Sequence, residues 1–285
     1  MVHRLLGLLT TGLMLVLSPL SRAHASGPLV LSDPALSATH IAFAHAGQIW
    51  SVPREGGRAS RIVTGQSANS HPVYSPDGKW IAYAGTYDGN TDVYLVASDG
   101  GDPKRLTFYP GPDEPLGFTA DGRQILIRSM RGSVRDLPSF YLLPVGGGMP
   151  EPLPIPTGED AALSPDGTHL AYTPFNQWQP AWKKYRGGQT TRVWVASLAD
   201  SKITKVPREN SNDHHPVYAG TDVYFLSDRE GTTTLYRFDG NSVERVVDNA
   251  KGPDLTGLAA GPGALAYTQF GSLHLYDLAS RKSRT

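Results

Sequence analysis

Apolar residues along this chain fall in short bursts, and no long stretch repeats with helical spacing. "KWIAYAG" (79–85) is followed by "DVYLVAS" (92–98), "RQILIRS" (123–129) by "SFYLLPV" (139–145), and "THLAYTP" (168–174) by "RVWVASL" (192–198). Each burst is rich in β-branched and aromatic residues and bounded by Gly, Pro or Asp, which predicts strands. The same order recurs in "HIAFAHAGQIWSVPR" (40–54), "TDVYFLSDREGTTTLYRFD" (221–239) and "GALAYTQFGSLHLYDLA" (263–279). Three of the pairs are introduced by one turn: "SPDG" at 75–78 and 164–167, and "TADG" at 119–122, spaced 44 and 45 residues apart. In such a turn Pro76 fixes φ, Asp77 accepts from nearby backbone, and Gly78 takes the positive φ that closes a hairpin.

Each unit also ends in a further short strand: "SRIVTG", "KRLTFY", "PEPLPIP", "ITKVPR" and "VERVVD". Prolines at 150, 152, 154 and 156 occupy every second residue of the third of these. The missing N–H groups would then all point one way, leaving Glu151, Leu153 and Ile155 to pair inward, which suits an outer edge only. Four antiparallel strands repeating every 40–45 residues predict an all-β, six-bladed β-propeller. Its blades start near Leu31, Ser70, Glu114, Glu159, Asn212 and Asp254. The sixth blade is expected to be incomplete, because the sequence reaches Thr285 where its fourth strand should begin; a truncated chain would explain this.

The first 25 residues differ from the rest. His3 and Arg4 precede a largely apolar run from Leu5 to Leu17, and Ala23-His24-Ala25 follows. This is the pattern of a cleaved secretory signal, too short to span a bilayer. Residues 26–285 are then expected to form an exported, periplasmic or secreted propeller with no membrane attachment. The leader carries two arginines and no acid, leaving 24 basic against 26 acidic residues. No basic field remains, which argues against a nucleic-acid partner. Cysteine is absent, so no disulfide holds an exported fold of this kind together.

No Gly-x-Ser-x-Gly elbow, His-Glu-x-x-His pair or phosphate-cradling glycine loop occurs, and no catalytic residue, cofactor or metal set is assigned. Two groups of residues stand out. His71 and His215 hold equivalent places in "HPVY" repeats at the start of the first strand of blades two and five; Asp213 and His214 accompany the latter. First strands line a propeller's central channel, so these four residues are candidates for one mouth of it. The second group is "FNQWQPAWKKYRGG" (175–188), an unusually long crossing in blade four. It carries Phe175, Trp178, Trp182, Lys183, Lys184, Tyr185 and Arg186. Such a loop either covers the propeller's own surface or contacts another domain, subunit or ligand.

"SHPVYSPDGKWIAYAGTYDGNTDVYLVASDGGDPKRLTFYPG" (70–111) together with Trp-Lys-x-Tyr-Arg-Gly-Gly (182–188) resembles the N-terminal region of tricorn proteases and their bacterial homologues. The resemblance covers nearly all of the chain after the leader. It implies a six-bladed propeller followed, in the family, by a second propeller, a PDZ domain and a serine peptidase domain. It also implies a large oligomer, peptides as the material handled, and a role in passage and assembly. None of the family's catalytic positions exists here. The Ser-Pro-Asp-Gly turns are shared with the Tol-system propeller, so a stand-alone periplasmic scaffold that binds proteins is the alternative. A third reading places small-molecule or glycan chemistry at the histidine mouth.

Overall fold

The computed structural model describes residues 29–65, 67–133, 137–176 and 184–285. Among them every regular element is a strand. Six antiparallel sheets of four strands each follow one another along the chain, and in every sheet the spatial order is the chain order. The inner strands are Ser32–Leu36, Ala68–Tyr74, Asp113–Phe118, Ala161–Leu163, Asp213–Ala219 and Leu255–Gly261. Each touches the next, and the last touches the first, so the blades close into a ring.

Period-two patterning explains the packing. Ile81 and Tyr83 point into the seam with blade one, while Ala82 between them points into the seam with blade three. Among the described residues all six apolar clusters lie between neighbouring blades in this way, with no single central core. The predicted hairpin turn forms as its chemistry requires. Gly78 has φ of 71° and its N–H donates to the Ser75 carbonyl at 2.9 Å. Asp77 Oδ1 accepts from Ser75 Oγ (2.6 Å) and from the Lys79 N–H (3.1 Å). The turns at 119–124 and 164–169 repeat the network.

Two expectations need correction. The sixth blade is complete: Lys282–Arg284 pairs with Ser272–Asp277, with Leu275 opposite Arg284. Its fourth strand is only three residues long, but so are the longest fourth strands elsewhere, Ile203–Lys205 and Val243–Arg245. A full-length fourth strand was the wrong standard. In the proline-rich edge, pairing is confined to Glu151–Pro152 and the Leu153 N–H, which donates to the Phe140 carbonyl at 2.9 Å. The Ile155 N–H turns back onto the Leu153 carbonyl, so the alternation ends one residue pair early.

Candidate functional site at the channel mouth

The six inner strands enclose two joined spaces. The larger, about 410 Å³, is a mainly apolar bore to which every blade contributes, including Val73, Leu116, Leu163, Val217 and Leu258. The smaller, about 150 Å³, shares Val73, Leu116, Ala162, Val217 and Leu258 with it and opens where the inner strands begin. Asp33, His71, Asp160, His215 and Gly257 line this mouth.

One backbone device puts them there. Register breaks occur at Ser32/Ala35, Ser70/Val73, His214/Val217 and Thr256/Leu258, each a bulge in the inner strand. Asp33, His71, His215 and Gly257 hold the bulged positions with φ of 48°, 50°, 53° and 59°. Such an insertion bends a strand and re-aims its side chain. Glycine adopts this conformation freely; Asp and His do so at a cost of about 1–2 kcal/mol each. Three blades carry that cost at one equivalent position.

The mouth is strongly ionic. His215 Nδ1 lies 2.9 Å from Asp160 Oδ2, across the seam between blades five and four. His71 Nδ1 meets Ser70 Oγ at 3.0 Å, and the His71 backbone N–H points at Asp33 Oδ2 at 3.5 Å. Beside them Arg128 bridges Glu114 and Glu159. Burial works against protonating His215, but Asp160, and Asp33 beyond it, outweigh burial and raise its pKa. Asp160 is held well below the usual carboxylate range: burial opposes its charge, but His215 and Arg128 prevail. His214 stands edge-on to His215, ring centroids 4.9 Å apart. Burial first, and repulsion from His215 second, lower its pKa to about 4.

These opposite shifts give a testable pH dependence. His214 binds a proton more readily unfolded, near pH 6.5, than folded, so stability falls as pH drops from 6.5 towards 4. The loss is at most about 3 kcal/mol. His215 has a raised folded pKa; its contribution is fully present below pH 6.5 and fades as pH rises through the folded value. His214→Gln is therefore expected to flatten the loss below pH 6.5, and His215→Gln to remove the gain in stability as pH falls from 7.5 towards 6.5. Urea unfolding at pH 7.5, 5.5 and 4.5 checks this; two variants with parallel profiles would refute the assignment.

The sequence candidates separate. His71 and His215 line the same passage, and His214 lines an adjacent cavity of about 640 Å³ with Lys184, Asn212, Thr233 and Asp254. Asp213 does not belong to the mouth: its side chain is fully buried and pairs with Arg229. Two residues away from His215, on the unbulged side of the break, it points into the seam. Within the long loop, Arg186 donates to Asp228 at 2.9 Å, and the Tyr185 carbonyl accepts from Asn212 Nδ2 at 3.2 Å. Phe175 lies under the Arg192 guanidinium. Phe175, Tyr185 and Arg186 are thus engaged within blades four and five, while Lys184 is exposed. Trp178, Trp182 and Lys183 lie outside the described residues.

Sequence reading missed Asp33, Asp160 and Arg128. A signal for Asp33 was present: Asp33-Pro34, His71-Pro72, Glu114-Pro115 and His215-Pro216 form one recurring X-Pro dipeptide at the head of four inner strands. Among the described residues no group of three or more His, Asp or Glu side chains could hold a metal ion.

Comparison with known proteins agrees with this architecture. A profile of the family described as Tricorn protease N-terminal beta propeller domain matches residues 28–282. Tricorn protease homolog 1 of Streptomyces coelicolor is 33% identical over 225 residues, covering 77% of this chain and 21% of that protein. A putative Tricorn-like protease N-terminal subunit of Sulfurisphaera tokodaii is 26% identical over 160 residues, covering 54% of this chain and 80% of that one. The crystal structure of the tricorn protease superposes with a TM-score of 0.79 at 21% identity, over 90% of this chain and 26% of the other. This chain spans about a fifth of the length of relatives such as the Streptomyces protein.

Proposed function

The chain belongs to the family of tricorn protease N-terminal β-propeller domains, and we propose that it is the non-catalytic peptide passage of a larger serine-type peptidase. The observation that carries this reading is the joined mouth and bore. Every blade contributes to both, and the bore wall is mainly Val, Leu, Ala and Pro. A wall of this kind accepts varied side chains without demanding a set of hydrogen bonds. A conduit must bind weakly enough to release, and an apolar tube does so better than a polar one. Bond cleavage is assigned to the family's peptidase domain, and assembly with it and with further copies is part of the proposal. The leader-like residues 1–25 support export. Phe175, Tyr185 and Arg186 stiffen the ring, which leaves Lys184 as the described loop residue best placed to meet a neighbouring domain.

Because the chain lacks cysteine, one introduced thiol reports on the bore without interference. Ala162 lines both spaces. Ala162→Cys is expected to react with a maleimide several-fold more slowly when millimolar unstructured peptides are present. A thiol introduced at exposed Ser280 should be unaffected. Equal rates for the Ala162→Cys thiol with and without peptide would remove the passage reading.

A further inference from the structure

Four carboxylates surround the mouth, and three of them are matched by cations. Asp160 is paired with His215, and Glu114 and Glu159 share Arg128. Asp33 is different. Among the described residues its side chain's one hydrogen-bond contact is the long 3.5 Å approach of the His71 backbone N–H, and it has no ion-pair partner. Neither mouth histidine is positioned to supply a hydrogen bond from Nδ1, since those atoms face Ser70 and Asp160. The chain nevertheless holds Asp33 in a left-handed bulge that aims it into the passage, at a position where blade six uses glycine. A residue kept in a costly conformation is a pointer to use when a specific group sits there.

Resting on the passage reading above, we propose that Asp33 makes the mouth a subsite for a peptide's ammonium group, with the adjoining residues lying in the apolar bore. The physical fit is direct. An ammonium brings three N–H donors to a carboxylate that makes no direct ion pair, forming charge-assisted hydrogen bonds stronger than neutral ones. The apolar wall just beyond lowers the local dielectric and strengthens that attraction relative to open water. Anionic groups meet the opposite condition, because Arg128 is already neutralised by two glutamates and the remaining field is negative. Two sources supply an ammonium: the free amino terminus and a lysine side chain.

The protection of the Ala162→Cys thiol from maleimide, measured as a function of peptide concentration, separates the outcomes. Three apolar peptides of one sequence are compared: lysine-free with a free amino terminus, the same peptide N-acetylated, and the N-acetylated peptide with one lysine. The free-amine peptide is expected to protect at a concentration at least about ten-fold lower than the acetylated one. Asp33→Asn should abolish that difference, and asparagine tolerates the left-handed backbone that Asp33 adopts. Recovery of protection by the lysine peptide assigns the subsite to any ammonium; its failure restricts it to the amino terminus. Equal protection by the free and acetylated peptides would overturn the subsite and leave the passage standing. A ten-fold preference that survives in Asp33→Asn would likewise overturn it. Protection by none of the peptides would overturn both. The comparison between peptides on the Asp33-containing protein does not depend on how well the variant folds.

Discussion

Replacing Asp213 with alanine is expected to destabilise the propeller by about 3–5 kcal/mol, the cost of leaving a buried charge uncompensated. Asp213 opens the inner strand of blade five and is fully buried. Its Oδ1 accepts from Ser211 Oγ (2.8 Å) and Ser227 Oγ (2.6 Å), and its Oδ2 from Arg229 Nη2 (3.1 Å). The Arg229 side chain is 16% exposed and lies over Phe225 and Tyr236, so most of it stays out of water once its partner is gone. Blade three repeats the arrangement with a flaw. Asp113 pairs with Arg131, and Arg131 Nε meets Ser129 Oγ at 2.9 Å. At the place of Ser211, however, stands Gly111, and Asp113 Oδ1 is left without a hydrogen-bond partner. Burial accordingly pushes the Asp113 pKa up despite Ser129 and Arg131. Asp113→Ala should therefore cost less than Asp213→Ala, and Asp213→Asn should fall between. Urea midpoints for the three variants test the order. A domain of this kind has about 5–15 kcal/mol in total, so the Asp213 loss is a large share. A cost below about 1 kcal/mol, the range of an exposed pair, would mean that the pair is dispensable.

The same comparison shows how far residue patterns could be read. The blade frame was legible because three features repeat together: period-two bursts, Pro-Asp-Gly turns and near-constant spacing. Any one of them alone is weak. The fourth strands were legible as edges but not in length, since two or three paired residues leave no pattern to distinguish them from loop. His71 and His215 stood out through an identical "HPVY" context. Asp33 was hidden in "SDPAL", where the surrounding residues differ and only the register relates it to His71. Arg128 looked like one polar position in a buried strand, and its two glutamates come from the heads of different blades. Pairings of that sort depend on how inner strands sit around the axis, which local sequence does not encode. Asp213 was misplaced for a related reason. A bulge at His215 breaks the simple alternation of faces, and neighbours in sequence part company at the mouth.

Leu36→Ala is expected to cost about 2–5 kcal/mol and to do so by loosening the closure of the ring. Five of the six seams are crossed by the chain itself. The sixth, between blades six and one, is held without a shared strand, since residues 32–61 and 255–284 form separate sheets. Non-covalent contacts must therefore meet the entropy of closing a very long loop. The buried cluster there is Leu36, Ile41, Ala264, Ala266 and Leu275, two of them alanines, against ten residues between blades one and two. Hydrogen bonds add little bulk: Leu31 N–H to the Gly271 carbonyl (3.1 Å), Arg54 Nη1 to the Pro262 carbonyl (2.9 Å) and Arg284 Nη2 to the Arg54 carbonyl (3.2 Å). Leu36 is the centre of this seam. A Cβ placed on Gly261 would lie 2.7 Å from both Leu36 Cγ and its carbonyl oxygen, so the two blades meet here almost backbone to backbone. Leu143→Ala makes a comparable hole in the seam between blades two and three, but there the chain still ties the blades together. Hydrogen exchange distinguishes the two cases. In Leu36→Ala the Leu31 amide and the strands of blades one and six should exchange well before the rest. In Leu143→Ala protection should fall together across the ring. Uniform exchange in both would show that closure is no weaker than the other seams.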